Sequence, residues 1–292
     1  MGCCETRDEV NSNGKVIPAT SPKSNKNPQT AKSPNPDVDL SQSSSSSLEE
    51  TFTDSKHIMK YIEFCKMNKN FAQLVDLITD STEISSAPTY IGWAEKPKTI
   101  GSLAIVYLCQ LIQKDHLKII PLLGKVLPAL INYIKTGSDD LRDNTMMLLY
   151  YALDYMNDDQ VLTLLELGIF KLLMRSILCQ KSELRHLTAA ICGKLYKGRA
   201  YAKKIFIDLK GGKQLVQQIL WSSENDPVLN NLLEILIELL LDDEDQPVQD
   251  YVNKLNDEKA LDIIRDITNP DKSPETIDLI DYLITILSNE EI

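Results

Sequence analysis

The 292-residue chain is poor in the residues that most chemistries need. Histidine occurs three times, at His57, His116 and His186, far apart in the sequence, and no His/Cys group has metal-ligand spacing. Glycine is sparse at 11 residues. Lys210-Gly211-Gly212-Lys213 does not complete a phosphate-binding loop, which requires a glycine, four residues and then Gly-Lys-Ser/Thr. The sequence thus offers no support for an enzyme, a cofactor or a metal. Long apolar runs are missing as well: the best candidate, Leu229 to Leu241, is broken by Asn230, Asn231, Glu234 and Glu238, so no membrane-spanning helix is expected. No apolar h-region of a secretory signal is present. The chain is therefore expected to stay on the cytosolic side, with its cysteines reduced.

Positive charge is also in deficit. The formal net charge is −11; the first 52 residues hold five basic and seven acidic residues, leaving 26 against 35, or −9, for the remainder. Nucleic acid and anionic lipid both need a positive surface, so unspecific binding of the body to either is not expected, no nucleic-acid partner is expected, and basic protein partners are left open.

What the chain does have begins at its first residues. Met1-Gly2-Cys3-Cys4-Glu5-Thr6 fits the pattern for N-myristoylation of Gly2. One myristoyl chain holds a membrane only marginally, with an association constant of about 10⁴ M⁻¹, whereas a second acyl chain makes attachment stable. Cys3 and Cys4 stand beside Gly2 as candidates for S-palmitoylation. A structural zinc would need four ligands, and Cys65, Cys109, Cys179 and Cys192 all fall in apolar helical patterns, where a thiol behaves as a small hydrophobe. From residue 7 to 53 the chain is rich in Ser, Asn, Lys and Pro and cannot bury enough apolar surface to order itself. This stretch is expected to be a disordered tether with a reach of roughly 40 Å. Ser21-Pro22 and Ser33-Pro34 are candidate proline-directed phosphorylation sites.

Beyond residue 53 the apolar spacing is helical and strand-type alternation is absent. Three segments superimpose: those beginning at Lys125, Gly168 and Gly211, with 43 residues between Gly168 and Gly211 and again between Ile134 and Ile177. Ser138-Asp139, Ser182-Glu183, Asp226-Pro227 and Ser273-Pro274 supply start signals for a longer helix after each. Three helices in a period near 43 are the signature of armadillo/HEAT repeats. We divide the body, 54–290, into units of 54–113, 114–157, 158–198, 199–243 and 246–290. The first carries an insertion, about 80–96, with Pro88, Tyr90 and Trp93. It is expected to fold back over the open N-terminal end of the stack, an exposed partner anchor being the alternative.

The body resembles the armadillo-repeat family, which implies an all-α, right-handed solenoid of about five three-helix repeats behind a disordered tail. In that family third helices line a concave groove, and a Trp-x-x-x-Asn pair clamps an extended peptide. Aligned third helices of this chain put Gln110, Asp154, Lys194, Glu238 and Thr285 at the Asn position and Val106, Tyr150, Ala190, Glu234 and Asp281 at the Trp position. The Trp/Asn pair is absent from every rung. What remains is a wall with Asp154, Glu234, Glu238 and Asp281, suited to a basic segment of a protein partner. A basic cluster, Arg185, Lys194, Lys197, Arg199, Lys203 and Lys204, spans the third and fourth units and is a candidate face for an acidic partner or lipid head groups.

Gly2, Cys3, Cys4 and a body of armadillo repeats alone are together similar to the acylated armadillo-repeats-only family of apicomplexan parasites. That resemblance implies a lipid-anchored adaptor on the cytosolic face of a secretory organelle, the rhoptry, recruiting a motor and signalling proteins; the protein is also expected to be monomeric and, from its lack of catalytic residues, non-catalytic. Two readings stay open beside it: an acylated armadillo tether of the vacuolar type, and a structural subunit of a cytoskeletal or ciliary assembly. Plasma, vacuolar and ciliary membranes would then replace the organelle.

Overall fold

The computed structural model describes residues 55–84 and 96–288. Gly2, Cys3, Cys4, Ser21, Ser33 and the whole 7–53 segment lie outside the described residues, as do Pro88, Tyr90 and Trp93 of the insertion. Among the described residues there are fourteen α-helices and no strands, apart from two isolated bridges, Glu83 with Thr99 and Leu241 with Pro247.

The helices fall into five triads. The first is α1 (Ser55–Met67), α2 (Phe71–Asp76) and the front of α3 (Ile100–Leu123). Helix α3 is interrupted at Asp115, whose φ of −122° and ψ of 27° are not helical, so its rear half opens the second triad with α4 (Leu127–Thr136) and α5 (Asp139–Ala152). The third holds α6 (Asp158–Glu166), α7 (Ile169–Ser176) and α8 (Ser182–Tyr196). The fourth holds α9 (Ala200–Asp208), α10 (Gly211–Trp221) and α11 (Asp226–Leu240). The fifth holds α12 (Gln249–Asp257), α13 (Ala260–Asp266) and α14 (Pro274–Ser288). The third helices α3, α5, α8, α11 and α14 pack each against the next. One apolar cluster runs from Ile62 to Leu287 through every triad. No single triad could bury such a face alone, which is why these units occur stacked.

The sequence expectation of no spanning helix needs a correction. Ile100–Thr136 is long and apolar enough to cross a membrane by length and composition, holding an 18-residue window with a mean hydropathy of 1.5. In the fold it is broken at Asp115, and Leu103, Ile105, Leu108, Ile112, Ile119 and Leu130 are core residues packed between the first two triads.

Helix starts differ in detail from the expected caps. Ser138 does not cap α5; its hydroxyl donates to Asp140 Oδ1 at 2.6 Å. Helix α8 already begins at Ser182. Asn225, rather than Asp226, caps α11 by accepting from the Val228 N–H at 3.3 Å. Asp226 instead reaches the next triad, where the Ser273 N–H (2.9 Å) and the Lys272 ammonium (3.1 Å) hold its carboxyl below the usual range. Ser273 caps α14 through the Thr276 N–H at 3.2 Å. At the junction between first and second helices the backbone is left-handed, at Gly168 (φ 80°), Lys210 (φ 60°) and Lys259 (φ 64°). Only the first has the residue that adopts it without a Cβ penalty. The structural partner of Gly168 is therefore Lys210, one residue before the Gly211 of the sequence alignment.

Cys65, Cys109 and Cys192 are buried free thiols, and burial pushes those of Cys109 and Cys192 far up. Cys179 departs from the helical expectation: it lies in the loop after α7, half-buried, with its thiol donating to the Lys181 carbonyl at 3.4 Å.

Two buried carboxylates fix the second triad. Asp143, without exposure, pairs with Arg142 at 3.0 Å and Lys181 at 2.7 Å. Asp140 is fully buried and accepts the Lys98 N–H from 42 residues away at 2.9 Å. Burial raises the Asp140 carboxyl, but hydrogen bonds from Ser138, the Lys98 backbone and Ser102 outweigh it and hold the group below its ordinary value of 3.8. A depressed carboxylate stabilises the fold above the unfolded-state pKa, and that contribution is lost as pH falls through the lowered folded value. Asp140→Ala should destabilise the protein by about 1–2 kcal/mol, because it removes the buried acceptor of the Lys98 N–H and of the Ser138 hydroxyl, the first keeping only its bond to Ser102 Oγ at 3.1 Å. Urea denaturation measures this, and the difference from wild type should shrink once the pH drops below about 4, where the unfolded-state carboxyl is protonated.

Candidate protein-binding face

The third helices place five of the seven groove candidates close together. Tyr150 comes from α5 and Asp154 from the turn just after it, Lys194 from α8, and Glu234 and Glu238 from α11. A cavity of about 360 Å³ sits among them, lined by Tyr150, Ala190, Lys194, Lys197, Glu234 and Glu238 and floored by Gly193. The floor has a packing reason: a Cβ on Gly193 would lie 3.1 Å from Ile235 Cγ1, so a side chain there would crowd the α8–α11 contact. The Tyr196 hydroxyl locks the same junction by donating to the Ile235 carbonyl at 2.7 Å. Gln110 on α3 and Asp281 on α14 are exposed on the outer rungs, outside this cavity. Val106, at the Trp position of the first rung, is core, with 1% exposure.

The acidic residues of the face are not equivalent. Asp154 is ion-paired with Lys194, whose ammonium also lies 4.1 Å from the centroid of the Tyr150 ring. Glu238 accepts from Lys203 at 3.0 Å and from the Gly198 N–H at 3.2 Å. Glu234, Asp278 and Asp281 are exposed and, among the described residues, have no ion-pair or hydrogen-bond partner for their carboxylates. The face thus carries open negative charge toward the C-terminal rungs and closed pairs in its middle.

The basic cluster expected from sequence is not one surface. Lys203 is 3% exposed, wedged between Glu238 and the Leu241 carbonyl at 2.8 Å. Arg199 joins two first helices by pairing with Asp158 at 2.8 Å. Arg185 turns toward α10, donating to Gln218 at 3.1 Å with its guanidinium 5.6 Å from the Trp221 ring centroid. Lys194 points into the groove, and only Lys197 and Lys204 are exposed with no partner for their ammonium groups among the described residues. Proximity in sequence grouped these cations, whereas their helix phases and the carboxylates of the preceding and the same triad separate them. A different set does converge: Lys135, Arg142, Arg175 and Lys181 line a cavity of about 520 Å³ where α4, α5, α7 and α8 meet. They escaped sequence reading because they come from two repeats.

The histidines stay apart. His116 stacks on Tyr155 with centroids 4.0 Å apart, His186 contacts the Ser222 hydroxyl at 3.2 Å, and His57 is exposed on α1. Among the described residues no group of three or more His, Cys, Asp or Glu is placed to hold a metal.

The Lys203–Glu238 pair is structural as well as local to the face. Glu238→Gln, which keeps the shape and removes the charge, should cost about 1–2 kcal/mol, less than the roughly 3–5 kcal/mol for breaking a fully buried pair because Glu238 is 34% exposed. Thermal or urea unfolding measures it. Adding Lys203→Met to Glu238→Gln should recover part of the loss.

No protein-family model matches the sequence, and no curated protein does. Solved structures do match the fold. ARO, the armadillo repeats only protein from Plasmodium falciparum, superimposes with a TM-score of 0.69 at 18% identity, over 81% of this chain and 99% of that one. A designed armadillo repeat protein in complex with the peptide (KR)4 gives 0.59 at 13% identity, over 78% and 86%. Computationally designed armadillo repeat proteins for modular peptide recognition give 0.58 at 15%, over 80% and 87%. This chain therefore has the armadillo-repeat fold, an all-α solenoid of stacked three-helix units.

Proposed function

We propose that the protein is a non-catalytic, lipid-anchored adaptor that holds protein partners at the cytosolic face of a membrane, using its third-helix face for their basic segments. The observation that carries the binding half is the open carboxylate of Glu234 on the wall of the cavity at Tyr150 and Lys194, with Asp278 and Asp281 open on the next third helix, α14. The same fold, in a designed protein, has been solved in complex with (KR)4. The anchoring half is supported by Gly2, Cys3 and Cys4, where two or three acyl chains supply the apolar area that the composition does not count. A secretory organelle such as the rhoptry is the membrane implied by the sequence resemblance, with a motor or signalling proteins as recruits. The body's −9 would be repelled by anionic lipid, and a long tether lets it stand off.

Two experiments test the halves separately. Gly2→Ala should move the protein from the membrane to the supernatant in cell fractionation; retention on membranes would defeat the anchor. For the face, Glu234→Lys with Asp281→Lys should weaken (KR)4 binding by tenfold or more at low salt, roughly the effect of reversing two rim charges. Unchanged affinity would sink the acidic face. Glu238 is left intact in this test because its pairing with Lys203 makes it a folding residue.

A further inference from the structure

Tyr150 lies in the last turn of α5 and Asp154 in the turn that follows the helix, and a single ammonium reaches both, so an aromatic face and a carboxylate stand side by side. That pairing is a receptor for an alkyl ammonium: the ring quadrupole attracts the cation and the carboxylate neutralises it. In this protein the receptor is occupied. Lys194, 40 residues on and one triad further, lays its ammonium 4.1 Å from the Tyr150 centroid and pairs it with Asp154. The Lys194 side chain is 22% exposed and that of Asp154 is 50% exposed, so the subsite faces solvent while its cation is held.

The next rungs lack such a device. The residue aligned with Lys194 is Glu238 on α11 and Thr285 on α14, and neither can supply a cation to Glu234 or Asp281. The aromatic position is Ala190 on α8 and Glu234 on α11. A ligand lysine that slid along the face would find an aromatic–carboxylate subsite at the α5 rung alone, and there it would meet Lys194.

We propose that Tyr150 and Asp154 form a cation subsite filled in cis by Lys194, and that this built-in occupant confines a basic partner to the rungs of Glu234, Asp278 and Asp281. The inference rests on the basic-segment reading above. Lys194 is then a specificity residue: it sets the register of the ligand by blocking the one site that would bind a lysine best. Its removal strengthens binding, which distinguishes it from an ordinary groove contact.

The test uses the full-length chain and fluorescently labelled (KR)4, with fluorescence anisotropy at physiological ionic strength. Lys194→Ala should bind about five- to tenfold more tightly than wild type, the factor expected when one ammonium moves onto a freed aromatic–carboxylate site. Lys204→Ala removes an exposed lysine outside the cavity and should change affinity less than about twofold, as expected for one screened remote charge. Tyr150→Leu with Asp154→Asn in the Lys194→Ala background should cancel the gain. Circular dichroism melting verifies that each variant is folded, and Lys194→Met, which keeps the packing of the stem, should show the same gain if Lys194→Ala melts early. Tightening by Lys204→Ala equal to that of Lys194→Ala would reduce the effect to bulk charge and overturn the subsite. Wild-type binding that depends on Glu234 and Asp281 but is unchanged or weakened by Lys194→Ala would also overturn it, leaving the basic-segment reading intact. Absence of binding by every variant would overturn both.

Discussion

The side-by-side stacking of the third helices is the constraint on which the rest depends. Each of α3, α5, α8, α11 and α14 must present one stripe to its own triad and two flanks to its neighbours, so little of its circumference is left for solvent. Burying a Leu or Ile side chain contributes about 1.5–3 kcal/mol, and these helices do so along their whole length. Where two of them approach most closely, Gly193 faces Ile235 and Tyr196 donates across the junction. The few positions left exposed on these helices form the face proposed for binding.

Electrostatics is distributed by the same stacking. The junctions consume charge: Arg199 with Asp158, Lys254 with Asp208 and Lys272 with Asp226 each tie one triad to the next, and Lys203 with Glu238 ties the first helix of the fourth triad to its third. A chain with an acidic excess spends its cations at these junctions and is left with open carboxylates on the outside. The middle of the face is neutralised by its own Lys194, and the C-terminal rungs are not. The polarity of the face is thus a by-product of which charges the junctions take up.

The repeat division was legible because helical periodicity and the 43-residue spacing are properties of the chain itself, and the interruption at Asp115 falls within two residues of the expected boundary at 114. Tyr150, Asp154, Lys194, Glu234 and Glu238 were legible as face residues for the same reason: aligning helices in phase aligns their exposed stripes. The pairing of those residues was not. Lys203 and Glu238 are 35 residues apart, and nothing in either segment says that the lysine is buried beneath the glutamate. The cap at Asn225 and the use of Asp226 as a link to Ser273 were equally hidden, since adjacent Asn and Asp are interchangeable as start signals until the next triad supplies a partner.

By itself, then, the sequence determined the class of fold, the number of repeats and the phase of each helix, because local periodicity decides which stripe of a helix is apolar. It also carries the candidate acyl sites Gly2, Cys3 and Cys4, whose meaning is local chemistry. Only the tertiary structure decided which charges stay open. An ion pair between triads depends on side chains about 40 residues apart meeting at a junction, and that distance is set by stacking rather than by anything encoded within a single repeat.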